Sequence, residues 1–195
     1  AHYSKKTVDF DYDFPFGEEE LYGLAYRTDF DLKNHYTEPP YHDSDTTEKY
    51  YPHVIEPTFG VDRSVLAVLC DSYTEEPASA ESFGEAKKDR VVLKLKTQLA
   101  PYKAAVFPLL ANKPELVKLA RKVYDDLRKD FMIAFDDRGN IGKRYYSQDE
   151  IGTPYCITVD FDSLKKKDVT TRDRDTTKQK RVKISDIKDF LNKSL

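Results

Sequence analysis

His53-Val-Ile-Glu-Pro-Thr-Phe-Gly-Val-Asp-Arg63 runs without a break into Ser64-Val-Leu-Ala-Val-Leu-Cys70. A short β-branched run is interrupted by Pro57 and Gly60 and gives way to an apolar segment long enough for a helix. The pattern predicts strand, tight turn and buried helix. Glu56 then stands at the end of the strand and Arg63 in the first helical turn, where free backbone N–H groups and the helix dipole favour an anion. Such a junction suits a substrate carrying both an amine and phosphates. It equally suits a structural Glu56–Arg63 ion pair, and the stretch alone leaves both readings open.

Upstream, Val8-Asp-Phe-Asp-Tyr-Asp-Phe14 alternates strictly, which predicts a half-buried strand of an antiparallel sheet with its three aspartates on the solvated face. No metal is assigned to them, because a solvated strand face accounts for the acids. In the next segment Gly23 lies between bulky residues of a predicted strand, marking a place where backbone or ligand comes close. Glu20 and Arg27 flank it as candidate pocket residues or as a surface charge pair. Residues 33–50 show no apolar period and read as a loop, and His35 and His42 have no partner at coordinating spacing.

Downstream, the helix is expected to end near Tyr73. Residues 76–89, polar and punctuated by Pro77 and Gly84, read as a linker between domains at 1–75 and 90–195. The second domain alternates predicted strands (91–95, 104–110, 131–135, 154–161, 169–174, 180–184) with helices at 113–130 and 141–151 and a last helix capped by Ser185. Gly152 marks the stop of the second of these helices. This order implies a mixed sheet with helices packed on it. Ligands of such sheets lie at strand ends and in adjoining loops, and Arg138, Lys143, Arg144, Arg172 and Arg174 fall there. Tyr145, Tyr146 and Tyr155 are interleaved among them. Bases stacked on these rings beside basic side chains would make an RNA surface. Aromatics at such spacing also build cores, and Arg172-Asp-Arg-Asp175 can pair its own charges, so this choice too stays open.

Composition narrows the class. With 39% apolar and 34% charged residues over 195 positions the chain is globular and soluble. No segment has the length of a membrane span and no basic-then-apolar leader opens the sequence, so a cytoplasmic setting is expected. Two cysteines, Cys70 and Cys156, are too few for a disulfide framework and read as buried reduced thiols. Residues 1–50 hold 12 acids against 5 bases, whereas residues 163–183 hold 9 bases against 3 acids. An acidic half and a basic half suggest two tasks, the second facing a polyanion. The chain opens at Ala1, directly before a predicted strand, and is expected to be a piece of something longer.

Taken in order, several segments resemble the C-terminal part of class II glycyl-tRNA synthetases of the homodimeric type. They are Ala1-His-Tyr-Ser4 with Val8 to Gly17; Glu20-Leu-Tyr-Gly-Leu-Ala-Tyr-Arg-Thr-Asp-Phe-Asp-Leu32; His53 to Arg63; Val91 to Lys96 with Leu99-Ala-Pro101; Gly139-Asn-Ile-Gly-Lys-Arg-Tyr145; Asp149-Glu-Ile-Gly-Thr-Pro154; and Arg172-Asp-Arg-Asp175. The resemblance implies an α+β and α/β architecture. The C-terminal part of an antiparallel-sheet catalytic domain, carrying motif 3, would be followed by a class IIa-type anticodon-binding domain, a mixed β-sheet flanked by helices. It implies that Arg63 contacts the ATP γ-phosphate, that Glu20 and Glu56 hold the ammonium of glycine, and that Thr58 crowds its α-carbon where the family usually has Ser. Glu56 would also line the ATP site, and Lys143, Arg144, Arg172 and Arg174 would meet tRNA(Gly).

The implied reaction is ATP-dependent, with Mg²⁺ bridging phosphates: glycyl-adenylate forms and the glycyl group moves to tRNA, in a homodimer when the enzyme is complete. Motif 1 and motif 2 are not recognised, so the chain alone is expected to be inactive. The competing expectation is a non-catalytic nucleic-acid-binding accessory protein that reuses the anticodon-binding fold.

Overall fold

The computed structural model describes residues 2–77 and 89–194. They divide into two compact units, with the division between Asp71 and Ser72. The middle of the expected linker lies outside the described residues.

The first unit contains β1 (Lys6–Phe14), β2 (Gly17–Thr28), the short α1 (Phe30–His35), a two-strand ladder of β3 (Tyr41–His42) with β4 (Lys49–Tyr50), β5 (Val54–Phe59) and α2 (Val61–Ser72). Its sheet is antiparallel in the order β1-β2-β5. Residues 33–50, expected as a loop, therefore carry the end of α1 and a small hairpin. Asp43 closes that hairpin by accepting hydrogen bonds from the backbone N–H groups of Asp45 and Thr46.

The alternation of β1 survives into the register, with a shift between Phe10 and Asp11 that leaves Leu21 of β2 unpaired. The strand is less buried than its pattern predicts. Phe14 is covered, but Val8 and Phe10 are 38% and 51% exposed. β5 also corrects an expectation: it runs through Pro57 to Phe59, so Glu56 is its third residue and not its last. A proline is tolerated there because β5 is an edge strand of the sheet among the described residues, where one side of the strand carries no ladder.

The second unit contains β6 (Tyr73–Glu76), β7 (Arg90–Leu93), β8 (Ala104–Pro108), α3 (Pro114–Leu127), β9 (Ile133–Phe135), α4 (Ile141–Glu150), β10 (Tyr155–Val159), α5 (Phe161–Lys166), β11 (Asp168–Asp173), β12 (Gln179–Lys183) and α6 (Ile187–Ser194). Residues 73–76, which lack a strand pattern, pair antiparallel with β7. The main sheet has the order β12-β11-β10-β8-β9; β8 is parallel to β9 and β10, and β11 is antiparallel to β10 and β12.

α3 buries Leu116, Ala120, Val123 and Leu127 at helical spacing, starting from Pro114 in its first turn. These side chains pack with Val106, Ile157, Val159, Val169, Ile187 and Leu191 into one core. The sequence pattern misses α5, a six-residue helix opened by a capping box between Asp160 and Ser163. Ser185 does not cap the last helix. It lies in a 3₁₀ turn over Ile184–Asp186, and α6 starts at Ile187.

Candidate functional site

In the first unit the register decides which side chains meet. Gly23 of β2 lies between Asp9 of β1 and Thr58 of β5, and Ala25 lies opposite Glu56. Directly opposed residues share a face and alternate residues return to it, so Asp9, Gly23, Thr58, Ala25 and Glu56 present one surface. Glu20 joins them, because a Cβ placed on Gly23 would sit 3.4 Å from Glu20 Oε1 and 3.9 Å from Asp9 Oδ1. The missing side chain of Gly23 is the space into which the Glu20 carboxylate leans.

Arg63, in the first turn of α2, reaches back to Glu20. Its Nη1 donates to the Glu20 carbonyl at 2.5 Å and lies 3.8 Å from Glu20 Oε2. The structure thus gathers Glu20, Thr58 and Glu56 on one face, with Arg63 reaching it. The anticipated Glu56–Arg63 pair is absent, since Glu56 pairs instead with Arg27 (Nη1 to Oε2, 2.8 Å). Arg27 is fixed on three sides. It forms a two-pronged bond to Asp31 at 2.6 and 2.7 Å, it meets Glu56, and its guanidinium lies 4.3 Å from the Tyr3 ring centroid. The Asp31 bond raises the Arg27 pKa, and the same bond holds the Asp31 carboxyl below its ordinary range.

Glu20, Glu56 and Arg63 keep about half of their side-chain surface exposed. Pairs so open to water contribute on the order of 0–1 kcal/mol to stability. Their ends stay available to a ligand that supplies ammonium and phosphate. Among the described residues no group of three or more His, Cys, Asp or Glu is placed to hold a metal ion.

In the second unit the sequence-predicted basic patch divides sharply. Lys143 is exposed on the first turn of α4. Arg144, Arg172 and Arg174 are only 2%, 7% and 2% exposed, which corrects their expected role as RNA contacts. Arg144 donates to the carbonyls of Pro108 (2.5 Å), Arg138 (3.0 Å) and Gly139 (2.9 Å), tying the β9–α4 loop to the end of β8. Burial lowers its pKa. Arg172 grips Asp149 with both Nη atoms at 2.9 and 3.0 Å, and its guanidinium lies over the Tyr145 ring. Arg174 binds the carbonyls of Gly152 and Leu95 and the carboxylate of Asp175. The alternative of self-paired charge describes Arg174 and Asp175.

Asp149, fully buried, also accepts from Arg90 Nε at 2.8 Å. Arg90 in turn bonds Glu76 (2.6 Å) and the Arg174 carbonyl, so β6 and β7 are pinned to α4 and the β11 turn. Burial opposes the charge on Arg90, but Asp149 and Glu76 outweigh it and the pKa is raised. Sequence could not supply this knot, because Arg90 and Asp149 are 59 positions apart.

Two of the three interleaved aromatics also pack inward. Tyr145 is inside, bonded to Thr158 Oγ1 at 2.7 Å and packed on Phe107, and Tyr155 packs edge-on against Phe190. What remains at the carboxyl ends of the parallel strands is Lys143 together with Arg138, whose side chain is 88% exposed. Arg138 is held by Asp136, which accepts from both its backbone N and its Nε. Cys156 is buried and Cys70 partly so, both free thiols, and burial pushes the Cys156 pKa up.

The second unit is a mixed sheet carrying helices on its parallel strands, with a basic loop at their carboxyl ends, and residues 103–194 match the family described as anticodon binding domain. The likeness extends over the whole chain. It is 51% identical over 199 aligned residues to a glycine–tRNA ligase of Macrococcus caseolyticus, covering 100% of this chain and 41% of that protein. It is 50% identical over 199 residues to one of Bacillus cereus and 52% identical over 195 residues to one of Staphylococcus saprophyticus, covering 41% and 40% of those proteins. The chain is therefore homologous to the C-terminal part of bacterial glycine–tRNA ligases and spans about two fifths of their length. Among the described residues no helix is long and apolar enough to cross a membrane.

Proposed function

We propose that the chain is the motif 3 and tRNA-reading portion of a cytoplasmic glycine–tRNA ligase that is a homodimer when complete. The observation that carries this reading is identity of about half the residues to glycine–tRNA ligases along the full chain. In this reading, residues 1–75 are the last part of the antiparallel catalytic domain and residues 90–195 bind the anticodon arm.

Glu20 and Glu56 accept hydrogen bonds from the ammonium of glycine, two acceptor-only groups facing three N–H donors. Arg27 keeps the Glu56 carboxylate turned onto that face. Thr58 stands beside the α-carbon and excludes larger amino acids by overlap, which discriminates more strongly than a difference in apolar burial. Arg63 leaves Glu20 and takes the γ-phosphate of ATP as a planar donor. Mg²⁺ bound with the ATP phosphates would supply charge neutralisation; the described carboxylates form no cluster that would hold it by themselves. The glycine carboxylate attacks the α-phosphorus and pyrophosphate leaves, giving glycyl-adenylate; a terminal ribose hydroxyl of tRNA then attacks its carbonyl, and AMP leaves. Positioning and charge neutralisation carry such a reaction, so no general base is invoked.

The exposed apolar side chains of the first unit, among them Ile55, Phe59, Val61 and Val65, are in this reading covered by the rest of the catalytic domain. The test is glycine-dependent ATP–pyrophosphate exchange. The isolated chain should show none, a protein encoded by the complete parent reading frame should be active, and Glu56→Gln or Arg63→Ala in that protein should cost 10²-fold or more, roughly the loss of a single strong charge-stabilising donor. A complete protein that binds tRNA but never exchanges pyrophosphate would identify a non-catalytic accessory protein instead.

A further inference from the structure

The second unit carries a groove that none of these roles uses. It lies between α3, α5 and the 3₁₀ turn before α6 and has a volume of about 1040 Å³. Its apolar lining includes Leu119 and Val123, one helical turn apart on α3, with Leu164 of α5 and Ile184. Leu164 is 39% exposed. The rim is basic. Lys118 and Lys122 on α3, Lys167 after α5 and Lys183 at the end of β12 are all exposed.

Charge bookkeeping along this rim leaves a surplus. Asp126 is neutralised by Lys129 (3.3 Å) and Lys188 (3.6 Å), Asp125 by Arg128 (3.1 Å), and Lys166 pairs with Asp162 (3.2 Å). No ion pair or hydrogen bond of Lys118, Lys122, Lys167 or Lys183 side chains is found among the described residues. Four uncompensated ammonium groups thus surround an aliphatic floor. Single-stranded nucleic acid is read by stacking on aromatic rings, and the groove is lined by none. An aliphatic trough beside a helix, with like charges along both edges, matches the apolar face and acidic flanks of an amphipathic helix.

We propose that this groove docks an acidic amphipathic helix of a protein partner, with leucine-type side chains on Leu119, Leu164 and Ile184 and carboxylates on the four lysines. The surface is distinct from the Arg138–Lys143 loop and does not depend on the tRNA reading.

The test uses the full chain and a fluorescein-labelled designed helical peptide, with Leu at i, i+4 and i+7 and Glu at the remaining exposed positions. Controls are the same peptide with Lys for Glu, a scramble that destroys the apolar face, and an unstructured single-stranded RNA. The acidic amphipathic peptide should bind, and both control peptides should bind at least about tenfold more weakly. Leu164→Glu and the double variant Lys118→Glu/Lys122→Glu should each weaken it by a similar factor while melting like the parent chain. Backbone amide shifts on peptide addition should centre on residues 118–123 and 164–167. Binding of all peptides alike, or shifts centred elsewhere, would overturn the proposal. RNA that competes with the peptide and loses affinity in the same variants would reassign the groove to nucleic acid.

Discussion

Asp149 is the residue whose environment says most about the second unit. Its fully buried carboxylate is held by Arg172 with two bonds and by Arg90 with one. Removing one member of such a cluster leaves unpaired buried charge, at a cost of about 3–5 kcal/mol. Asp149→Ala is therefore expected to lower the urea-unfolding free energy of the second unit by that amount, whereas Lys143→Ala should change it by no more than about 0.5 kcal/mol. Equal, small effects of both would show that the arginines are not held as described. In the sequence Lys143, Arg144, Arg172 and Arg174 group together as one expected basic surface. Side-chain type was legible, but whether a guanidinium points outward depends on carbonyls and carboxylates distant in sequence, such as Leu95 for Arg174. In the first unit, by contrast, Glu20, Glu56 and Arg63 lie on strands and a helix start that their own local pattern foretold, whereas Thr58 was expected in the turn and is placed on the face of Glu56 by the register of β5.

Among the elements, those with strong period and clear stops were foretold best. The apolar stripe of α3 and its Pro114 start were plain in the sequence, as was the Gly152 stop after α4. Elements without a periodic signature were not: β6 is four polar-leaning residues recruited by β7, and α5 is too short to show a period. Pro57 misled the end of β5, because a proline ends a central strand but not an edge strand. Gly152 is the position where an element boundary can be tested. Its φ is +78°, and an added Cβ would meet Leu95 Cδ1 at 2.7 Å and the Leu93 carbonyl at 3.1 Å. Gly152→Ala should lower the melting free energy by about 1–3 kcal/mol through overpacking, and a neutral result in thermal unfolding would contradict the tight apposition of this turn to residues 93–95. Arg144→Lys belongs to the same scale. A single ammonium cannot reproduce a fork across three carbonyls, so the β9–α4 loop should loosen, seen as faster amide exchange at Arg138 and Gly139.

Across the whole molecule, acidic carboxylates carry much of the electrostatic order. Burial alone would raise the Asp160 pKa, but Arg181 and the Ser163 hydrogen bonds outweigh it and hold the carboxyl low, as Arg181 does for Asp168. Lys94 and Arg90 do the same for Glu76. A folded pKa below the unfolded one gives stability that is complete above the unfolded value and lost as pH falls through the folded value. The second unit should accordingly keep constant stability from neutrality to about pH 5 and lose it progressively below about pH 4, the ordinary carboxylate range. Stability that fell already between pH 7 and 6 would contradict this. Some basic side chains build the second unit and others face outward, and if the proposed function holds only the latter meet tRNA. Titration of the isolated chain with a fluorescent tRNA(Gly) anticodon stem-loop at low and moderate salt separates the two sets. Binding should weaken steeply with salt, fall about tenfold or more in Arg138→Ala/Lys143→Ala without loss of thermal stability, and stay unchanged in Lys118→Glu/Lys122→Glu. Binding that survives the Arg138/Lys143 change intact, or shows no salt dependence, would contradict this division.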